Sequence, residues 1–264
     1  MYPIVCRLGP FTLYSYGIAL AIALGVSVFI ARRVVSRLPE SCVALGPDAI
    51  TDLLCLSVFG GILGGRLLYV VLNWEMFARA IHEIPAIWHG GLIWYGGFLG
   101  GLFSSWLYAR AHGRVWLSVL DQLIPVVSLG HAIGRVGCFF NGCCGGRPTD
   151  QWYGVVFPNQ PDLVIPTQLI EATLLVGLYV VLRGLQHRQP PFLRQPGRLF
   201  AVYLIGYGSL RFAVEFLRVG QPMFWMNLTL PQLFSIVMIL WAATLLARQS
   251  VIRNPQSTIH NLLL

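Results

Sequence analysis

The residues best equipped for chemistry lie between Gly130 and Asp150, GHAIGRVGCFFNGCCGGRPTD, where arginine, histidine, asparagine and three cysteines share one short stretch. Elsewhere polar groups are sparse. Arg66, Glu171, Arg211 and Glu215 stand out from apolar surroundings. An arginine at the centre of a membrane helix costs about 2.5–3.5 kcal/mol, so Arg66, Arg135 and Arg211 must each face protein or water and have a partner. Glu215 follows Arg211 by four residues on one helix face, which allows a structural ion pair. Three arginines with few acids nearby point further, to an anion. In a membrane the abundant anion is a lipid phosphate, and arginine's planar fork suits phosphate oxygens.

Cys138, Cys143 and Cys144 admit three readings. The spacing C-x4-C-C is not a standard zinc pattern, although His131 is near in sequence. A disulfide of Cys138 with Cys143 or Cys144, or simple packing, is expected. The alternative is a nucleophilic thiol, which would draw on Arg135 and Arg147 as neighbouring cations. Cys6, Cys42 and Cys55 are scattered and read as small packing residues.

These residues need elements to hold them, and composition says which kind. The chain is 56% hydrophobic and 11% charged, with mean hydropathy +0.69. Soluble domains carry roughly 25% charged residues, so the sequence predicts an all-α, polytopic membrane protein forming one integral domain over residues 1–264. Seven apolar stretches have the length of a span: Leu13–Ala31, Ile50–Leu72, Gly90–Ala109, Val115–Phe140, Thr167–Leu185, Leu199–Phe216 and Pro231–Ala247. The net charge of +8 comes from arginine, with no lysine present. Eleven of the 18 arginines fall in alternate connections, which predicts an N-terminus outside and a C-terminus in the cytoplasm. That placement explains the basic balance without nucleic acid as a partner. No cleavable signal peptide is expected before the first span.

Two further expectations concern backbone. Trp74–His89 is too polar to span, and reads as either a short interfacial helix or a loop containing Pro85. Pro125, Gly130, Gly134 and Gly137 predict a fourth helix kinked or broken near the outer face, with Arg135 on a cavity wall. Gly60, Gly61, Gly64 and Gly65, and the glycines from Gly90 to Gly101, predict close helix packing.

Several separate motifs together resemble the bacterial prolipoprotein diacylglyceryl transferases, from about Tyr2 to Ala247. They are LGPFTLYSYG near the start, GGRLLYV, HGGLIWYGGFLGG, GRVGCFFNGCCGG, PTQLIE and LIGYGSLRFAVEFLR, in that order. Seven spans with the N-terminus outside are also implied by the resemblance. It implies an enzyme of the bacterial cytoplasmic membrane with its site toward the outer leaflet. Such an enzyme moves the diacylglyceryl group of phosphatidylglycerol onto the lipobox cysteine of a preprolipoprotein signal peptide, and needs no cofactor or metal. By the same resemblance, Arg135 takes the lipid phosphate, and Arg211 and Glu215 help gate or bind substrate. Tyr16, Asn141 and Gly146 match further site positions, and Arg66 falls within a matching motif.

Three positions depart from the family's best-known form, which has histidine at Tyr95, asparagine at Cys138 and glutamate at Cys143. The histidine is the obvious base there. Here either Tyr95 replaces it or the arginines alone acidify the substrate thiol. The departures also admit a catalytically diverged, lipid-binding paralogue. A small transporter fits less well, because no paired halves are evident.

Overall fold

The structure is a computed structural model, and it describes residues 4–8, 11–37, 44–157, 160–219 and 223–253. Cys42 lies outside the described residues. Helices dominate: α1 (Ser15–Val35), α2 (Pro47–Leu72), a single turn α3 (Trp74–Phe77), α4 (Trp94–Ala111), α5 (Trp116–Asn141), α6 (Thr167–Arg188), α7 (Arg198–Glu215) and α8 (Leu230–Arg253). Three two-stranded antiparallel hairpins accompany them: β1 (Ile4–Leu8) with β2 (Phe11–Tyr14), β3 (Val155–Phe157) with β4 (Gln160–Val164), and β5 (Met223–Trp225) with β6 (Leu228–Thr229). None of the hairpins was legible in the apolar pattern. Each strand has at most five residues, too few for alternation to register against longer apolar runs.

Among the described residues, five helices are long and apolar enough to cross a membrane: α1, α2, α5, α6 and the Leu230–Ala247 part of α8. The chain is a multi-pass helical membrane protein. α4 and α7 are shorter, at 18 residues each. Glycine and serine dilute α4, and α7 carries Arg198, Arg211 and Glu215.

The helical boundaries follow from local chemistry. α2 opens with Pro47 in its first turn, where the missing N–H is harmless. α5 runs as one helix through Pro125, so of the expected kink or break the break is corrected. Gly130 and Gly137 serve close approach. A Cβ on Gly130 would come 2.8 Å from Ser27 Oγ on α1, and one on Gly137 would come 2.5 Å from Ala19 Cβ. Ser27 Oγ also donates to Val126 O, and Ser128 Oγ donates to Leu175 O on α6.

The chain divides into two compact units. The first comprises Met1–Ser27 and Leu123–Leu264. Within it α7 packs against α6 and α8, and buries Leu199, Phe200, Ala201, Tyr203, Leu204 and Tyr207. The second unit is Val28–Gln122, centred on α2 against α4. There the glycines meet face to face as expected. A Cβ on Gly96 would lie 2.4 Å from Gly64 O, and one on Gly100 would lie 2.2 Å from Gly60 O. Backbones this close admit no side chain. Trp74–His89 is neither a helix nor a plain loop, but α3 followed by 3-10 turns at Ile81–Glu83 and Ile87–His89.

Candidate active site

In the first unit, three helices bring their polar residues together in a regular way. α7 places Tyr203, Tyr207, Arg211 and Glu215 at successive four-residue steps, all buried. α5 places His131 and Arg135 one turn apart, and α6 opens with Thr167, Gln168 and Glu171, each at most 2% exposed. Side chains four apart on a helix stack on one face, so each helix presents a single polar stripe.

The stripes join through ion pairs. Arg135 Nη2 lies 2.9 Å from Glu171 Oε1, with the side chains 13% and 2% exposed. Arg211 Nη2 lies 2.8 Å from Glu215 Oε2, and Thr229 Oγ1 donates to Glu215 Oε1 at 2.9 Å. Arg135 also hydrogen-bonds the Tyr207 hydroxyl. The Tyr207 ring stacks on Tyr203 at 5.7 Å and meets His131 edge-on at 5.1 Å. His131 and Tyr207 both lie within electrostatic reach of Arg135 and of Arg211. The two arginines therefore share one neighbourhood.

These pairs correct the expectation of unbalanced buried cations, because Arg135 and Arg211 each face a carboxylate. The pairs do not exhaust the guanidinium groups, however. Arg135 Nε and Arg211 Nη1 are buried without a hydrogen-bond partner, as is Arg218 Nε just beyond α7. A buried donor left unsatisfied costs about 1–3 kcal/mol. Three such donors on arginines of one unit suit an oxygen-rich anion.

The segment after α5 is tied firmly to this cluster. Gly146 N–H donates to Ile165 O at 2.8 Å, Arg147 N–H to Leu217 O at 2.8 Å, and Ile165 N–H to Arg147 O. Arg147 Nη2 donates to Phe216 O. A Cβ on Gly146 would lie 2.7 Å from Leu217 O and 2.8 Å from a Thr167 methyl, so only glycine fits. Thr167 Oγ1 donates to Cys144 O and Gln168 Nε2 to Cys143 O. Asn141 ends α5, and its side chain hydrogen-bonds the Cys143 thiol. Tyr16 lies beside α5, 3.5 Å from where a Gly137 Cβ would stand.

The cysteines of this segment are free thiols, so the expected disulfide is corrected. Gly142, at φ +73°, donates to Phe139 O, and Cys143 N–H donates to Cys138 O at 3.2 Å. This is the Schellman end of a helix, in which the first and sixth residues meet. Here those residues are Cys138 and Cys143. Cys144 takes φ +67°, and its Sγ stands 3.6 Å from Cys143 Sγ. Cys55, expected to be a packing residue, is exposed on α2, and Cys6 is half-buried.

Arg66 and Tyr95 belong to the second unit. Tyr95 stands in the first turn of α4, edge-to-face with Trp94 at 5.5 Å. Arg66 is engaged by backbone. Its Nε donates to Ile84 O at 2.8 Å, Nη2 to Glu83 O at 2.6 Å, and Nη1 to Gly90 O at 2.6 Å and Gly91 O at 3.2 Å. Tyr69 and Phe77 flank its guanidinium at 5.5 and 5.2 Å. Arg66 thus ties down the segment between α2 and α4.

Sequence reasoning missed Tyr207, Gln168, Thr229 and Arg218. The first carries a visible signal, since Tyr203, Tyr207, Arg211 and Glu215 form an unbroken four-residue series. The others depend on chain crossings that no spacing reveals.

A buried cluster of arginines, glutamates and tyrosines inside a multi-pass helical protein defines the class: a membrane protein with a buried, charged polar site. The family model for prolipoprotein diacylglyceryl transferase matches residues 3–248. Curated relatives agree. A Cupriavidus pinatubonensis phosphatidylglycerol–prolipoprotein diacylglyceryl transferase is 36% identical over 246 residues, covering 90% of this chain and 87% of the relative. The protein of that name from Methylococcus capsulatus is 34% identical over 254 residues, covering 93% and 94%. One from Polaromonas naphthalenivorans is 37% identical, covering 82% of each. The chain belongs to the prolipoprotein diacylglyceryl transferase family.

Proposed function

We propose that this chain transfers the diacylglyceryl group of phosphatidylglycerol to the lipobox cysteine thiol of preprolipoprotein signal peptides. It does so in the bacterial cytoplasmic membrane, as one integral domain of seven spans with the N-terminus outside and the C-terminus cytoplasmic. The reaction site opens toward the outer leaflet.

The observation that carries this reading is the pair Arg135 and Arg211, each held by a glutamate yet each keeping a buried N–H without a partner. In the reaction a thiol sulfur bonds to the glyceryl carbon, the carbon–oxygen bond to phosphate breaks, and glycerol phosphate departs. Negative charge grows on the phosphate as that bond breaks. Donors already oriented at this charge lower the barrier without reorganising. Arg135 and Arg211 supply them, while Glu171, Glu215 and Tyr207 fix their orientation. Tyr16 and Asn141 border the same region, and Gly146 lets the chain pass where no side chain fits. Arg66 has a positioning role, since its donors already face carbonyls.

A free thiol has pKa about 8.5 and reacts as the thiolate. Tyr95 is the proposed base at the family's histidine position, with acidification by the arginines as the other route. The test is direct. Purified protein, phosphatidylglycerol and a lipobox peptide should yield a thioether-lipidated peptide, detected by mass. Absence of product beside an active control enzyme would refute the assignment. The residues at 95, 138 and 143 favour one rival, a lipid-binding paralogue without the chemistry. Rescue of a transferase-deficient cell by this chain would exclude it.

A further inference from the structure

The thiols at the end of α5 are arranged more closely than packing requires. The Schellman turn sets Cys138 against Cys143. Cys144 then turns back through φ +67°, a conformation that disfavours any side-chain-bearing residue other than asparagine or aspartate. As a result all three thiols lie within hydrogen-bonding reach of one another, and each is half-buried rather than sealed. Strain of this kind persists only where the surroundings impose it. Here Thr167 and Gln168 on α6 hold the carbonyls of Cys144 and Cys143.

We propose that Cys138, Cys143 and Cys144 form a thiol–disulfide exchange site, whose ligand class is a disulfide carried by a small molecule or peptide. Cys144 is the attacking sulfur and Cys138 the resolving one. Adjacent cysteines close a small strained ring, which removes Cys143 as the partner of Cys144. Cys143 Sγ instead stands beside the attacking sulfur, 3.6 Å away. Supporting this order, the Cys144 thiol is held well below the usual thiol range. Hydrogen bonds from Cys138 and then Cys143 do most of this, and the charges of Arg218 and Arg135 add to it. A thiolate is the form that attacks.

Cys144 Sγ bonds to one sulfur of the disulfide R–S–S–R, and the first R–S⁻ leaves. Cys138 Sγ then bonds to Cys144 Sγ and expels the second R–S⁻. Two cysteine thiols are oxidised to one disulfide, the ligand gains two electrons, and the two protons given up by the cysteines end on the released thiols. The chemistry is separate from lipid transfer, and failure of either leaves the other standing.

The experiment uses the full chain in detergent, reduced, desalted and then exposed to oxidised glutathione. Samples are quenched with iodoacetamide and mapped by peptide mass. The expected product is a Cys138–Cys144 disulfide, with Cys143, Cys6 and Cys55 still alkylatable. In Cys138→Ser, glutathione should remain on Cys144, at least tenfold above its transient level in the unmodified chain. Should that variant not fold, the linkage found in the unmodified protein decides alone. Three thiols left alkylatable while a small dithiol control oxidises, glutathione adducts without an internal disulfide, or a bond to Cys143 instead would each overturn the proposal.

Discussion

Two buried arginine environments coexist in this chain, and they solve the same physical problem differently. Arg66 faces carbonyl oxygens of residues 83, 84, 90 and 91 and is flanked by two aromatic rings. Its charge is solvated by the protein's own backbone, and each of its three nitrogens has an acceptor. Arg135 and Arg211 face carboxylates, and each retains a buried nitrogen with none. A guanidinium saturated by carbonyls is a fastener. One neutralised by a single carboxylate, with donors left over, is poised for another anion. Burial and charge alone do not separate these roles; the acceptor census does.

The largest expected effect of breaking this contrast is at Arg135. Arg135→Ala should lower lipid transfer by about 10²–10³-fold or more, the scale for removing a donor from a developing anion. Protein recovered from membranes should stay within twofold. Turnover measured on purified variant with phosphatidylglycerol and lipobox peptide checks this; retained activity would remove Arg135 from the site.

Arg66→Ala should show the reverse pattern. Several buried carbonyls lose a charged donor, at about 1–3 kcal/mol for each group left unsatisfied. Thermal unfolding in detergent should shift clearly downward, with turnover per folded molecule changed by less than about tenfold. A loss of turnover without a loss of stability would erase the distinction between the two environments.

Gly96→Val sharpens the comparison without touching any charge. Its side chain would enter the space of Gly64 O and Leu68 Cβ. Overpacking of this kind costs about 1–3 kcal/mol. The variant should reproduce the lowered unfolding temperature of Arg66→Ala in milder form.

The smallest effect probes the hydrogen bonds from Cys138 and Cys143 to Cys144, with the weaker influence of Arg218 and Arg135. Cys144 is held below the ordinary thiol range, so it stays a thiolate where a free thiol is protonated. Its alkylation rate should change little between pH 8 and pH 6, while a thiol of pKa about 8.5 slows by roughly a hundredfold. A hundredfold fall at Cys144 would show that the cations and thiol donors do not act on it.

Much of this could be read from the chain itself, and the exceptions share a cause. Apolar runs fixed the long helices, since a span needs little beyond length and hydropathy. Arg211 and Glu215 are four apart, so their pairing was visible. Arg135 and Glu171 are 36 positions apart on different helices, and only the fold brings them together. The contacts of Arg66 were hidden for a related reason: its partners are backbone carbonyls, which every residue carries and no sequence marks. The thiol cluster was half legible. Glycine after a helix signals a Schellman end, and that rule by itself places Cys143 against Cys138. The backward turn of Cys144 needed the structure.

The claim that a lipid phosphate bridges the leftover donors of Arg135 and Arg211 is tested most directly by a structure of the protein with phosphatidylglycerol bound. The account predicts phosphate oxygens within hydrogen-bonding distance of Arg135 Nε and Arg211 Nη1, with Arg66 still on its carbonyls. A phosphate resting on Arg66, or a lipid whose headgroup touches neither Arg135 nor Arg211, would contradict it.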